Sequence, residues 1–316
     1  MKRVLVSIIL FFVLVISLSA CAAKKPSEKL YVLSRDRDAV WLVGADGAEK
    51  VMDVPEDALS AALEGDTFWY ANEAKLVKIG VADGTHAEFE IPASDWKGRI
   101  VPAGDEAYIV LNLNGGGAEL YESGFIYRVG PDGAELVSEH KTSLHWPFVV
   151  DGDTVFFTDD RTNKVFRINP DGKLTRFERA DGTPWPNCIS LDGGRIYISW
   201  VGRCYSYDAE TGGDEKLETI FGPVSSSQAV IRSVDYVSSA VAHDGWLYYG
   251  TSDPSGSEIW FVGRRIADGK TVRFGSVDDV FFYSLDSVVS FGEQGFVVAD
   301  GYQKEVFRYF PYYSGE

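Results

Sequence analysis

A short apolar and aromatic strand recurs along this chain, and that repeat limits the possible folds more than any other feature. Its copies read Leu30-Tyr31-Val32, Phe68-Trp69-Tyr70, Ala107-Tyr108-Ile109, Val155-Phe156-Phe157, Ile196-Tyr197-Ile198, Leu247-Tyr248-Tyr249 and Phe296-Val297-Val298. From the second copy onward a tight turn usually comes first, at Gly65-Asp66, Gly104-Asp105, Gly152-Asp153, Gly193-Gly194 and Asp244-Gly245. A second strand follows each copy, usually about ten residues on: Val40-Trp41, Leu76-Val77, Ile126-Tyr127, Val165-Phe166, Cys204-Tyr205, Ile259-Trp260 and Val306-Phe307. Apolar runs of this length bounded by Gly and Asp are hairpin signals.

Successive copies lie roughly 38 to 51 residues apart, the spacing of one four-stranded propeller blade. A single blade cannot bury both of its faces, so the copies must stack around an axis. No long helical pattern interrupts them. The predicted fold is therefore all-β, a single β-propeller of about seven four-stranded blades. Six or eight blades stay open, because Asn112 to Gly124 and Phe221 to Ser239 are long enough to hide insertions. The first copy has no inner strand before it, and the last reaches Glu316 with no room for an outer one. Sharing of strands between the termini would resolve both shortages.

One copy carries a resemblance. Phe156-Phe157-Thr158-Asp159, followed by Val165-Phe166-Arg167-Ile168-Asn169-Pro170-Asp171-Gly172, resembles the repeat of YWTD-type propellers and their TolB-like bacterial relatives. Elsewhere the same position reads Phe68-Trp69-Tyr70-Ala71 or Tyr248-Tyr249-Gly250-Thr251, and the YWTD family has six blades. The resemblance implies an architecture and no particular ligand.

The N-terminus reads as an export signal. Lys2 and Arg3 precede an apolar run from Val4 to Leu18 that ends in Leu18-Ser19-Ala20-Cys21. That run is shorter than the roughly 20 residues of a membrane-spanning helix and has the layout of a secretory signal. The tetrapeptide resembles the bacterial lipobox, which implies cleavage before Cys21 and lipidation of its thiol. The organisation expected is a signal peptide at 1–20, a lipidated tether at 21–29 and the propeller at 30–316, in the cell envelope on the extracytoplasmic side of a bacterial membrane. An uncleaved anchor or an ordinary signal peptide would still place the domain outside the cytoplasm.

Loss of the first twenty residues removes two basic side chains and no acidic one, which takes the formal charge from −17 to −19. Such a surface repels phosphate backbones, so nucleic acid is excluded as a partner. Beside the lipidated Cys21, two cysteines are left as possible thiols, Cys188 on the first strand of a blade and Cys204 on the third. Strands two apart lie nearly 10 Å from each other, beyond the Cα reach of about 7 Å for a disulfide. Two buried thiols are favoured over a bridge.

The motifs of catalysis are few. His86, His140, His145 and His243 form no close helical pair, and no zinc or EF-hand pattern is present. Asp151-Gly152-Asp153 and Asp159-Asp160 fall on hairpin turns, where Asp serves local hydrogen bonds rather than calcium. There is no Gly-x-Ser-x-Gly elbow and no P-loop. Ser225-Ser226-Ser227 is a loop signal, and Thr251 to Trp260 misses the Asp-box spacing by one residue.

Aligning the repeats points to the mouth of the central channel. About six residues before the turn in each copy stand Ala58, Lys97, His145, Pro186, Ser238 and Asp286, with Trp96, Arg99, Trp146, Trp185, Asn187, Asp235, Tyr236 and Tyr283 beside them. Aromatic faces mixed with charges suit a ligand, whereas a purely structural ring would be Val, Ile and Leu. The candidate ligand-binding set is Trp96, Lys97, His145, Trp146, Trp185, Asn187, Tyr236 and Asp286. The competing reading packs Trp96, Trp146 and Trp185 between blades.

Together these features predict a monomeric, membrane-tethered binding or scaffold module for a peptide, glycan or envelope protein, with no catalytic residues and no cofactor. The alternative is an exported hydrolase or lyase, similar to gluconolactonase-like and streptogramin-lyase-like propellers, with a divalent cation held by Asn187, Asp235 and Asp286. A third reading is an envelope scaffold that docks through an apolar or acidic patch away from the channel.

Overall fold

The computed structural model describes residues 28–34, 36–94, 96–112, 123–143, 147–159, 162, 164–169, 172–177, 186, 188–200, 203–220, 240–252, 259–277, 289–300 and 306–313. They form seven antiparallel sheets and no helix. The first sheet holds β1 (Lys29–Leu33), β2 (Ala39–Gly44) and β3 (Gly47–Asp53). The second holds β4 (Ser60–Glu64), β5 (Thr67–Ala71), β6 (Lys75–Gly80) and β7 (His86–Glu90), and the third β8 (Trp96–Ala103), β9 (Glu106–Asn112), β10 (Ser123–Gly130) and β11 (Gly133–Ser143). In the fourth are β12 (Phe148–Asp151), β13 (Thr154–Thr158), β14 (Val165–Ile168) and β15 (Leu174–Phe177), and in the fifth β16 (Cys188–Asp192), β17 (Arg195–Trp200), β18 (Arg203–Asp208) and β19 (Lys216–Ile220). The sixth comprises β20 (Ala240–His243), β21 (Trp246–Ser252), β22 (Ile259–Arg265) and β23 (Thr271–Val277), and the seventh β24 (Val289–Phe291), β25 (Gly295–Asp300) and β26 (Val306–Pro311).

This is a seven-bladed propeller, and the blade count agrees with the repeat count. Each blade is a meander joined by short turns. Asp192 pairs with Arg195, and His243 with Trp246, across two-residue turns. Both central residues of each turn have positive φ: 55° and 75° at Gly193 and Gly194, 48° and 75° at Asp244 and Gly245. That geometry matches the twist of paired strands and needs Gly, Asp or Asn, which explains why the turn letters were legible.

The second strand of a full blade reads as an unbroken apolar run because neighbouring blades cover both its faces. In β9, Ala107, Ile109, Val110 and Leu111 are completely buried, and Phe157 of β13 likewise. Outer strands such as β3 are exposed along most of their length. Blade faces are glued by aromatic packing, most densely where Phe296 meets Tyr248, Phe261, Phe274, Phe291 and Phe310 between the sixth and seventh blades.

The two end blades depart from the expected four strands: each has three among the described residues. At one end of the axis Leu33 stands beside Ala61 and Ala62 of β4, and at the other Lys29 lies beside Gly65 and Asp66. So β1 runs opposite to β4, as a second strand does. Among the described residues the first blade has no inner strand and the last no outer one.

No described strand is shared between the ends. Ring closure rests instead on packing of Val32 and Val43 against Val297 and Ala299, with Leu30, Trp41, Phe307 and Tyr309 around them. It is reinforced by the Glu28 carboxylate, which accepts hydrogen bonds from the backbone N–H of Glu293 at 2.6 Å and of Gln294 at 2.8 Å.

Cys188 and Cys204 are free and fully buried, and each lies opposite Ser199 of the intervening strand β17. Burial pushes the Cys204 thiol up to about 12. Of the aspartates assigned to hairpin turns, Asp159 makes the expected local hydrogen bonds, whereas Asp153 pairs across blades. Asp159 accepts from the N–H and hydroxyl of Thr162 at 2.8 and 2.7 Å, while Asp153 pairs with Arg128 at 3.3 Å.

Candidate functional site

Four inner strands and β1 line a cavity of about 200 Å³ on the propeller axis. Its wall is apolar over much of its area: Val32 and Leu33 of β1, Ala61 to Leu63 of β4, Ile100 to Pro102 of β8, Phe148 and Val149 of β12, and Val289 of β24. Two charged side chains join it, Arg37 and Arg99, and the described lining contains no carboxylate.

Local sequence explains both arginines. Between Lys97, opposite Leu111, and Ile100, opposite Ile109, the pairing of β8 with β9 slips, so that Gly98 and Arg99 face one partner residue. A bulge of this kind bends its strand and re-aims a side chain, here that of Arg99. Arg37 sits in the turn between β1 and β2 at φ +56°, a conformation costly for any residue with a Cβ. Ser34 holds that turn: its hydroxyl donates to Asp38 at 2.5 Å and accepts from the N–H of Asp38 and Ala39, each at 3.0 Å.

In a chain of formal charge −17, two guanidinium groups on the wall of an apolar pocket stand out as cationic groups. Guanidinium groups recognise carboxylates and phosphates through their planar fork of donors. The cavity is smaller than the ~300–1,000 Å³ of an enclosed small-molecule site, so it suits an acidic group projecting from a larger partner. A second cavity, of about 410 Å³, opens at the opposite end of the axis between β1, β4 and β24, with Lys29 and Asp66 on its wall.

Of the residues predicted from the repeat alignment, Trp96 and Lys97 begin β8, paired with Asn112 and Leu111, at the same end of the axis as Arg99. Their side chains lie outside the described residues. His145, Trp146, Trp185, Asn187, Tyr236 and Asp286 also lie outside them, as do Asp235, Tyr283 and the lipidation candidate Cys21. Arg99 was visible in the sequence only as a neighbour of Lys97, and Arg37 was missed. It belongs to a turn in the blade that has no inner strand among the described residues, so counting back from inner-strand turns never reaches it.

Among the described residues, no group of three or more His, Cys, Asp or Glu side chains converges on a point that would hold a metal ion. The exposed large apolar residues Val51, Leu59, Leu136, Leu217 and Tyr313 belong to five different blades or their flanks, which leaves no continuous apolar patch among them. Of the described histidines, His243 stacks on Phe291 at 4.1 Å, and burial lowers its pKa against the opposing pull of Asp192 and Asp244.

No protein-family model matches the chain, and no curated protein matches its sequence. Solved structures do resemble it. An oligogalacturonate lyase in complex with manganese aligns at a TM-score of 0.56 and 14% identity, over 87% of this chain and 83% of its own. TolB from Acinetobacter baumannii aligns at 0.51 and 13%, over 79% of this chain and 63% of its own. A chain of the nidogen/laminin complex aligns at 0.50 and 11%, over 78% of this chain and 92% of its own. At such identities the likeness establishes the fold alone: the chain is a β-propeller, like these structures.

Proposed function

We propose that this protein is a lipid-anchored, extracytoplasmic propeller that binds a peptide, glycan or protein partner through an acidic group at the axial mouth, without catalysing a reaction. One observation carries this reading: two arginines, Arg37 and Arg99, line an apolar axial cavity in a strongly acidic chain. The lipobox-like Leu18-Ser19-Ala20-Cys21 supports the anchor.

The test is a thermal-shift and binding screen on the full chain in detergent, using acidic peptides, uronic-acid glycans and divalent metals, with wild type beside Arg99→Ala. A ligand at 100 times its dissociation constant stabilises by about 2.7 kcal/mol. The expected result is stabilisation by an acidic ligand that is lost in Arg99→Ala. Stoichiometric metal in the purified protein, with turnover of a glycan, would replace this reading with that of an exported lyase. Mass spectrometry of the membrane-bound protein tests the anchor, which requires a lipidated N-terminal Cys21 and release by Cys21→Ser.

A further inference from the structure

Counted from the hairpin turn, the fourth residue of a second strand faces an inner-strand partner and belongs to the core. Ile109, Phe157, Ile198 and Val298 hold this place opposite Ile100, Phe148, Ile189 and Val289, and all four are completely buried. Tyr249, opposite Ala240, is 8% exposed. Tyr70, opposite Ala61 of β4, departs from the rule and is only half-buried. Phe68 stacks against its ring at 5.9 Å, and its hydroxyl has no hydrogen-bond partner among the described residues.

Tyr70 lines a groove of about 720 Å³, a volume within the range of ligand sites. The other walls are Val77 of β6, Glu88 of β7, the residues from Asn72 to Lys75 that join β5 to β6, and Asp57 and Leu59 of the crossover from β3 to β4. Leu59 and Ala74 are exposed and present apolar surface to it. Every residue lining the groove is described, and none belongs to an inner strand, so its walls are independent of how the first blade is completed.

Charge selects the occupant. Lys75 is the single cation on the wall, and Glu88 already holds it. Asp57 accepts one hydrogen bond, from the Asn72 side-chain amide at 3.0 Å, and meets no cation among the described residues. Burial, followed by the charges of Asp57 and Glu88, raises the Tyr70 pKa against the pull of Lys75, which keeps the ring a neutral phenol beside a carboxylate. A cation gains from both the face of such a ring and the carboxylate, and a long side chain lays its methylene stem on apolar surface.

We propose that this groove is a docking site for a lysine or arginine side chain of a partner peptide. It is separate from the axial mouth and opposite to it in charge preference, so either site can fail without the other.

The experiment is calorimetric titration of the full chain in detergent with acetyl-Ala-Leu-Lys-Leu-Ala-amide and with its arginine counterpart. Controls are the same peptide with the lysine acetylated at Nζ, and cadaverine. Both basic peptides should bind saturably and slow exchange of the 72–75 amides. Acetylation should weaken binding about tenfold or more, and so should Asp57→Asn and Tyr70→Leu, each of which removes one half of the cation's surroundings. Asp57→Asn alters an exposed side chain and keeps an acceptor for Asn72, so it reads the site even where Tyr70→Leu disturbs the packing on Phe68. Asp132→Asn, in the turn between β10 and β11, removes one charge elsewhere and should leave the affinity unchanged. Equal binding of the acetylated peptide, unchanged affinity in Asp57→Asn, or no binding of either basic peptide overturns the proposal. Cadaverine binding as tightly as the peptides would make the ligand a free diamine and overturn docking of a partner chain.

Discussion

Replacing Glu28 by alanine should loosen the ring where it closes, and by an amount the structure lets one work out. Closure involves no shared strand among the described residues, so the interface between the first and last blades depends on apolar packing and on the Glu28 carboxylate. That carboxylate receives two charge-assisted hydrogen bonds, at 2.6 and 2.8 Å, from N–H groups at the turn between β24 and β25. Such bonds contribute ~1.5–3 kcal/mol each when buried, but these lie at the surface, where water replaces part of what is lost, so about 2 kcal/mol for the pair is the working figure. In a domain of this size ~1 kcal/mol moves the midpoint by about 2 °C, so Glu28→Ala should melt about 4 °C lower. Glu28→Gln, which keeps one acceptor oxygen, should fall between. Differential scanning calorimetry reads the shift, and hydrogen exchange of Glu293 and Gln294 reads the place, since both amides should exchange faster. An unchanged midpoint with both amides still protected would refute the clamp and leave ring closure to packing alone.

Arg37→Gly should raise stability by about 1 kcal/mol, because glycine adopts positive φ without the Cβ penalty, while weakening any acidic ligand of the axial mouth. Calorimetry and a binding titration on the same sample check the two halves, and lost stability would contradict the turn geometry. His243 is held below its usual pKa, so the unfolded chain takes up its proton first as pH falls. Its contribution is complete above the unfolded value near 6.5 and is lost as pH drops below that toward the folded value. Urea unfolding between pH 7 and 5 should therefore show a steeper loss for wild type than for His243→Gln, and parallel curves would overturn the assignment.

Local chemistry wrote the propeller into the chain in plain form. Pairs such as Gly193-Gly194 and Asp244-Gly245 can bend only into tight hairpin turns, and apolar runs such as Val155-Phe156-Phe157 must be covered on both faces. Both signals act within one blade, so the repeat, the blade count and the separation of Cys188 from Cys204 could be read without tertiary information. The shortage of strands at the two ends of the pattern was also visible, and the first and last sheets have three strands each among the described residues.

What fills that shortage was decided by residues far apart in sequence. Strand sharing between the termini would have satisfied the same hairpin rules, yet the ring closes by packing β1 and β2 on β25 and β26, with Glu28 reaching a turn more than 260 residues away. The site follows the same division. A mouth on the axis was predictable from the fold, but Arg99 faces it because of a one-residue slip in the pairing of β8, and Arg37 because a strained turn closes at the end of β1. Period and turn chemistry are local properties of the polypeptide. Which side chains meet on the axis depends on register and ring closure, which exist only once all seven blades are assembled.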